Sequence, residues 1–188
     1  MEIRVHGRGG QGVVTLAELI ALAAFDSGHE AQAIPSFGSE RMGAPVMAFC
    51  RIADRPIRTR QPVTRPDLVA VCDPTLLHSV AVFDGLRPAG WVLLNSTHRP
   101  AGLGLAEYAE RLPAGHLITL PATALARELT GGTRSNSALL GAIAAVTGLF
   151  DLVAADRALR HRFGDRVAGP QSELARAAYE RIAVTSRA

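Results

Sequence analysis

The chain has 188 residues, 48% of them hydrophobic and 20% charged, a composition that fits one folded domain and excludes intrinsic disorder. No apolar run approaches the roughly 18 residues of a membrane span. All 20 Lys-plus-Arg positions are arginine, which excludes a lysine Schiff base and a P-loop lysine, and the net charge of +3 does not by itself argue for nucleic acid.

The amino-terminal MEIRVHGRGG lacks the charged start, apolar run and cleavage site of a secretory signal, so a cytoplasmic protein is expected. Glu2 to His6 predicts a short buried strand, and the glycine-rich loop Gly7 to Gly12 follows. Val13 to Ser27 has helical apolar spacing, ended by Gly28. Strand, glycine loop and helix open a βαβ unit. His29 to Ile34 predicts a second strand, and Pro35 to Pro45 a turn-rich loop. Val46 to Ile52 predicts a strand, Asp54-Arg55-Pro56 a turn, and Ile57 to Arg60 a short return strand, together a β-hairpin insertion.

Leu68 to Cys72 is apolar and β-branched, as a central parallel strand requires. Pro74 to Phe83 predicts a helix, Trp91 to Asn95 and Leu117 to Leu120 two further strands, and Pro121 the start of a helix over Ala122 to Leu129. Beyond Gly131-Gly132, Ser135 to Thr147 predicts a helix apolar nearly all round, and Phe150 to Phe163 and Pro170 to Val184 two surface helices. Strands alternating with helices imply a single α/β domain over residues 1–188, Rossmann-like, with a mostly parallel sheet flanked by helices and additional C-terminal helices.

Gly7-Arg8-Gly9-Gly10-Gln11-Gly12 has the G-x-G-x-x-G spacing between a strand and a helix. Such glycines allow a tight turn and a close backbone approach, and the helix N-terminus offers N–H groups to an anion. A nicotinamide nucleotide site also needs an acid at the end of the second strand. That strand ends here in Ala33-Ile34-Pro35, and Glu30 lies at its start. Three readings of the loop therefore stand: a dinucleotide site, glycines that only let helix and strand pack, and a loop that meets an anion or a partner segment.

The ordered series HGRGGQGVVTLAE, AIPSFGSERMGAPVMAFCRI, DRPIR and PDLVAVCDPTLL resembles the gamma subunit, or gamma domain, of the pyruvate/2-oxoacid:ferredoxin oxidoreductases. The resemblance runs through about the first half of the chain. The later SNSALLGAIAAVTGL is similar to the family's Asn-containing helix, and the last ~25 residues carry little signal. Indolepyruvate oxidoreductases have a similar domain, but their loop departs from the FGSERMGAPV form.

The resemblance implies a subunit of a multi-subunit enzyme, inactive alone. Thiamine diphosphate and iron–sulfur clusters would sit on partner subunits: thiamine-binding alpha and beta subunits and a ferredoxin-like subunit. The 2-oxoacid would lose CO2 on the thiamine carbon, electrons would leave through the clusters to ferredoxin or another acceptor, and the acyl group would usually pass to coenzyme A. This subunit would help form or close the active site, with coenzyme A possible at the interface. Two other readings stay open: a free-standing nucleotide-binding α/β enzyme, and a purely structural assembly subunit.

The candidate binding residues are Gly9, Gly10, Gln11, Gly12, Arg41 and Asn136; none is a candidate for catalysis or for a metal. Gln11 can donate and accept at the loop's tip. Gly10 occupies a variable place of the pattern, so it serves either close approach or a positive φ. Arg41, beside Glu40, suits bidentate contact with a phosphate, a carboxylate or a partner, or else forms an exposed loop ion pair. Asn136 reads first as an N-cap and otherwise faces the glycine loop or the partner. Arg51, Arg55, Arg58, Arg60 and Arg65 form a basic run, either a solvated face or a dock for an acidic subunit; without interleaved aromatics it does not suit nucleic acid. Cys50 and Cys72 form no C-x-x-C pair and predict small buried hydrophobes. The histidines show no helical metal spacing, and His6, beside the loop, predicts a structural role.

Overall fold

The computed structural model describes residues 1–35 and 42–185. Its elements in chain order are β1 Glu2–Arg8, α1 Val13–Asp26, β2 Glu30–Pro35, β3 Pro45–Ala53, β4 Leu68–Val71, β5 Trp91–Asn95, α2 Ala106–Glu110, β6 Leu117–Leu120, α3 Ala122–Thr130, α4 Asn136–Thr147, α5 Leu152–Phe163 and α6 Asp165–Thr185. Short 3-10 turns cover Pro74–His78 and Pro100–Leu103. None of the described helices is long and apolar enough to cross a membrane.

The six strands form one sheet in the order β2-β3-β1-β4-β5-β6. β1, β4, β5 and β6 pair in parallel, and β3 runs antiparallel to both its neighbours, β1 and β2. Among the described residues β3 is thus the only reversed strand, and the sheet is mostly parallel as the alternation of elements requires. The expected hairpin is present with a different partner. β3 pairs with β2, while Ile57 to Arg60 is not a strand. The Arg51 guanidinium explains this: it pairs with Glu2 (2.8 Å) and donates to the Gln61 and Pro62 carbonyls, holding the segment across the end of β1 instead of along β3.

Three further boundaries differ from the expectation. Pro74 starts a single 3-10 turn instead of a helix to Phe83. Its N-cap is Asp73, whose side chain accepts from the Thr75 amide. α6 begins at Asp165 and carries Pro170 in its second turn, at the cost of one main-chain donor. The residues between β5 and β6 hold α2, a helix too short to show an apolar period.

Alternate residues of the central strands feed two cores. Leu68 and Ala70 of β4 face the larger one, with α1, α4, α5 and α6. Val69 and Val71 face the smaller one, which Leu76, Val82, Leu103 and Tyr108 cover. A strand apolar on both faces is what LVAVC predicts. α4 is buried from Asn136 to Ala144. Its near-absence of charge is the sequence counterpart of a helix enclosed by α1, α3, α5 and α6.

Candidate functional site

β1 ends in the glycine loop, and backbone bonds lock the loop's shape. The Gln11 amide donates to the Arg8 carbonyl (3.0 Å), the Gly9 amide to Ala44 (2.9 Å), and the Gly43 amide to Gly9 (3.1 Å). Gly10 has φ +90° and Gly12 φ +75°, a region costly for residues with a β-carbon. Gly10 therefore answers a backbone demand. A β-carbon there would also meet the Met42 thioether, its Cε at 2.9 Å.

Two side chains fasten the loop from below. Gln11 turns inward, so its amide is occupied at both ends. Its Oε1 accepts from the Arg8 amide (2.8 Å) and its Nε2 donates to Asp73 Oδ2 (2.9 Å). Arg8 donates to Thr75 Oγ1 and to the Gly43 carbonyl, and its Nε lies 3.2 Å from Asp73 Oδ2. Partial burial pushes the Asp73 carboxyl up, but hydrogen bonds from Thr75 and Gln11 and the Arg8 charge outweigh it and hold the group below its ordinary value. Asp73 directly follows Cys72 at the carboxyl end of β4, where open α/β sheets place functional groups. That position was the available signal for Asp73.

The loop's upper side opens onto a cleft of about 600 Å³. Gly12 occupies the N-cap place of α1, no side chain caps the helix, and no acid lies in its first turn. The first-turn amides are thereby left to whatever enters the cleft. Arg134 and Arg162 add positive charge to the walls. Arg134 is exposed and makes no hydrogen bond or ion pair among the described residues, whereas Arg162 lies 3.4 Å from Glu18 and 5.6 Å from the Phe163 ring centre. A helix N-terminus with two guanidiniums favours an anion. Neither arginine had a sequence signal, since each lies far along the chain from the loop.

Asn136 comes to this cleft from α4. It does not cap the helix: Ser135 holds the N-cap position and Asn136 is the first helical residue. The N-cap expectation is thereby corrected. α4 is buried against the domain, which drives its first residue against Gly12. Asn136 is 5% exposed, and its amide fills the space that a Gly12 β-carbon would need. Its buried Oδ1 has no hydrogen-bond partner among the described residues. Gly9, Gly10, Gly12 and Asn136 thus meet at one cleft, and Gln11 supports it from beneath. Arg41, with Glu40 and Gly38, lies outside the described residues, and its neighbour Met42 lines the cleft.

The other polar candidates are structural. His6 is buried, and its Nε2 accepts from Arg4 Nε at 2.9 Å. Burial, and then the Arg4 charge, push His6 down to about 4. Burial pushes both the Cys50 and Cys72 thiols up to about 12, so neither is a ready thiolate. Among the described residues no three His, Cys, Asp or Glu side chains form a metal-binding group.

The sheet order bears on the dinucleotide reading. β3 separates β2 from β1, so the end of β2 is not next to the glycine loop as a ribose-binding acid would require. Glu30 is exposed at the far end of that strand.

The chain matches known proteins along nearly its whole length. Residues 2–181 match the family described as pyruvate ferredoxin/flavodoxin oxidoreductase, so the likeness extends well past the glycine loop into α6. The chain is 46% identical to pyruvate synthase subunit PorC of Methanothermobacter marburgensis, over 97% of each protein. It is 41% identical to the pyruvate/ketoisovalerate oxidoreductases common subunit gamma of Thermococcus litoralis, over 98% of each. The solved pyruvate oxidoreductase subunit PORC of Thermotoga maritima is 33% identical and superposes with a TM-score of 0.80, covering 96% of this chain and 95% of that one. A fold likeness at 18% identity and TM-score 0.73 joins the whole chain to 31% of a 2-oxoglutarate:ferredoxin oxidoreductase chain from Magnetococcus marinus, solved with 2-oxoglutarate, coenzyme A and succinyl-CoA bound. The chain belongs to the pyruvate ferredoxin/flavodoxin oxidoreductase family.

Proposed function

We propose that this chain is the gamma-type subunit of a multi-subunit 2-oxoacid:ferredoxin oxidoreductase, and that its glycine-loop cleft receives the anionic part of coenzyme A where subunits meet. Thiamine-binding alpha and beta subunits and a ferredoxin-like subunit complete the enzyme. Thiamine diphosphate on those partners supplies the carbon at which the 2-oxoacid is decarboxylated, and their iron–sulfur clusters supply the electron path. Two buried, protonated thiols suit this chain to no cluster.

The observation that carries the reading is Asn136 seated on Gly12 beneath an uncapped helix start. Open amides of α1 and the Arg134 guanidinium suit phosphate oxygens, through charge-assisted hydrogen bonds. The unpartnered Asn136 Oδ1 suits an amide N–H or a hydroxyl on the same molecule. Coenzyme A carries both kinds of group. Gly12 lets the backbone approach because no β-carbon intervenes, and the Gln11–Asp73–Arg8 network keeps that surface rigid before any ligand arrives. In this division of labour the chain binds and orients, and it moves no proton itself.

Purification of the complex from its native source, with identification of its subunits and titration with coenzyme A, tests the reading. Thiamine- and cluster-bearing partners, and saturable coenzyme A binding to the assembly, are expected. A free monomer that binds NAD(H) with micromolar affinity and carries its own activity overturns it.

A further inference from the structure

At the amino-terminal end of the parallel strands, opposite the glycine loop, residues 54–66 run without regular secondary structure between β3 and β4. The second half of this segment is nevertheless fixed. Arg51 donates to the Gln61 and Pro62 carbonyls at 2.6 and 3.3 Å. Val63 and Pro66 are buried, and the Pro66 carbonyl accepts from the Arg87 amide at 3.0 Å. On this scaffold Arg55, Arg58, Arg60 and Arg65 are exposed.

The acids beside them are already engaged. Glu2 pairs with Arg51 and Arg87, and Asp67 with Arg87 and the Glu2 amide. Asp54 lies against His29. Elsewhere in the domain several arginines are matched by acids, as in Arg157–Asp26, Arg160–Asp156 and Arg176–Glu180, and those that are not, such as Arg99, Arg127 and Arg166, lie far apart along the chain. Here four guanidiniums within eleven residues make no hydrogen bond or ion pair within the described structure, while the backbone of residues 61–66, which carries Arg65 and directly follows Arg60, is held in place. A solvated face needs no such anchoring, and an interface gains from it, because less side-chain and loop ordering remains to be done on binding.

We propose that the 54–65 segment docks an acidic face of another protein subunit, its arginines pairing with carboxylates across the contact. The proposal rests on the subunit reading above for the existence of that partner. Guanidiniums match carboxylates in bidentate geometry, and a concentrated patch of one sign selects a patch of the other. The segment has no aromatic side chain on which a base could stack, which disfavours a nucleic acid. β1 separates the patch from the cleft by about 20 Å, so docking here leaves the cleft open.

The test uses the assembled enzyme carrying the quadruple variant Arg55→Glu, Arg58→Glu, Arg60→Glu, Arg65→Glu, with the corresponding Gln variant beside it. Size-exclusion chromatography over a sodium chloride series reads how much of this chain stays in the complex. The Glu variant is expected to dissociate at least about tenfold more readily than wild type, with the Gln variant between them and the wild-type complex weakened by salt. Denaturant midpoints of the free variant chains should stay near wild type, since the four side chains are exposed. Coenzyme A binding by whatever complex remains should be unchanged.

Equal retention of all three forms across the salt series overturns the docking proposal and leaves the subunit reading standing. A wild-type chain that purifies without other subunits overturns both. Nucleic acid that co-purifies with wild type and is lost from the Glu variant also overturns the proposal. If the Glu variant folds poorly, the Gln variant and the salt dependence of wild type decide.

Discussion

Gly12 and Asn136 explain each other only as a pair. A left-handed residue at the start of a helix calls for glycine, and the absent β-carbon is the space into which the Asn136 amide packs. The Asn in turn keeps a buried oxygen without a hydrogen-bond partner among the described residues, a state that costs roughly 1–3 kcal/mol. Arg134 makes no ion pair among the described residues, so Arg134→Ala should weaken binding without disturbing the fold. The KM for coenzyme A of the assembled enzyme should rise about tenfold with kcat nearly unchanged, as loss of one charged hydrogen bond predicts. An unchanged KM would free Arg134 from the site. His6 supports a prediction of another kind. Its folded-state value is lowered from 6.5 to about 4, so between those values the unfolded chain binds the extra proton and stability rises with pH. The contribution, about 3 kcal/mol, is complete above about pH 6.5 and is lost as the pH falls towards 4. Urea unfolding of the free subunit at pH 7 and pH 4 should show wild type losing about that much more than His6→Asn; parallel losses would contradict the burial argument.

Helix packing sets the next constraint. α4 crosses α6 where Gly141 lies against the main chain of Ala175, and a β-carbon at Gly141 would strike the Ala175 carbonyl oxygen. Backbone cannot rotate away as a side-chain tip can, so Gly141→Ala should cost about 3 kcal/mol, the upper end of ordinary overpacking, despite the gain in helix propensity. A denaturant midpoint equal to wild type would mean that α6 slides freely on α4. The same helices show why some elements were legible in the sequence and others were not. VVTLAELIALAAFDS and SNSALLGAIAAVTGL announce buried helices by composition, and LVAVC and WVLLN announce strands covered on both faces. β2 carries EAQAIP, a weak alternation, and its pairing with β3 is set across a long loop. The sequence instead offers Asp54-Arg55-Pro56 as the nearer turn, and the clamp from Arg51 to Gln61 and Pro62 becomes visible only in three dimensions. The glycine loop was legible because its spacing is local. The contact of Asn136 with Gly12 was not, because it depends on where a buried helix begins, more than a hundred residues along the chain.

At the scale of the molecule the sheet is covered unequally. One face carries α1, α4, α5 and α6 over a continuous core from Ile3 to Ile182. The other carries six fully buried hydrophobic residues under 3-10 turns and the five-residue α2. Short helices gain little from their own hydrogen bonds and depend on packing, and this cover packs through few contacts, such as the stacked rings of Phe83 and Tyr108, 4.5 Å apart. The α/β class and the strand alternation were legible before the structure, yet this imbalance was not, because residues 96–116 show no periodic pattern. Local stability should follow the cover. The amides of α4 lie inside the larger core and should exchange with solvent only when the whole domain unfolds. Those of α2 should exchange through a local opening that lifts the thin layer while the sheet stays paired, roughly a hundredfold faster or more, a gap of about 3 kcal/mol. Native-state hydrogen exchange of the free subunit in low denaturant separates the two cases, since a local opening is insensitive to denaturant and global unfolding is not. If α2 proved as slow as α4, with the same denaturant slope, the two faces would be one cooperative unit, and the small core would be held by more than the contacts that cover it.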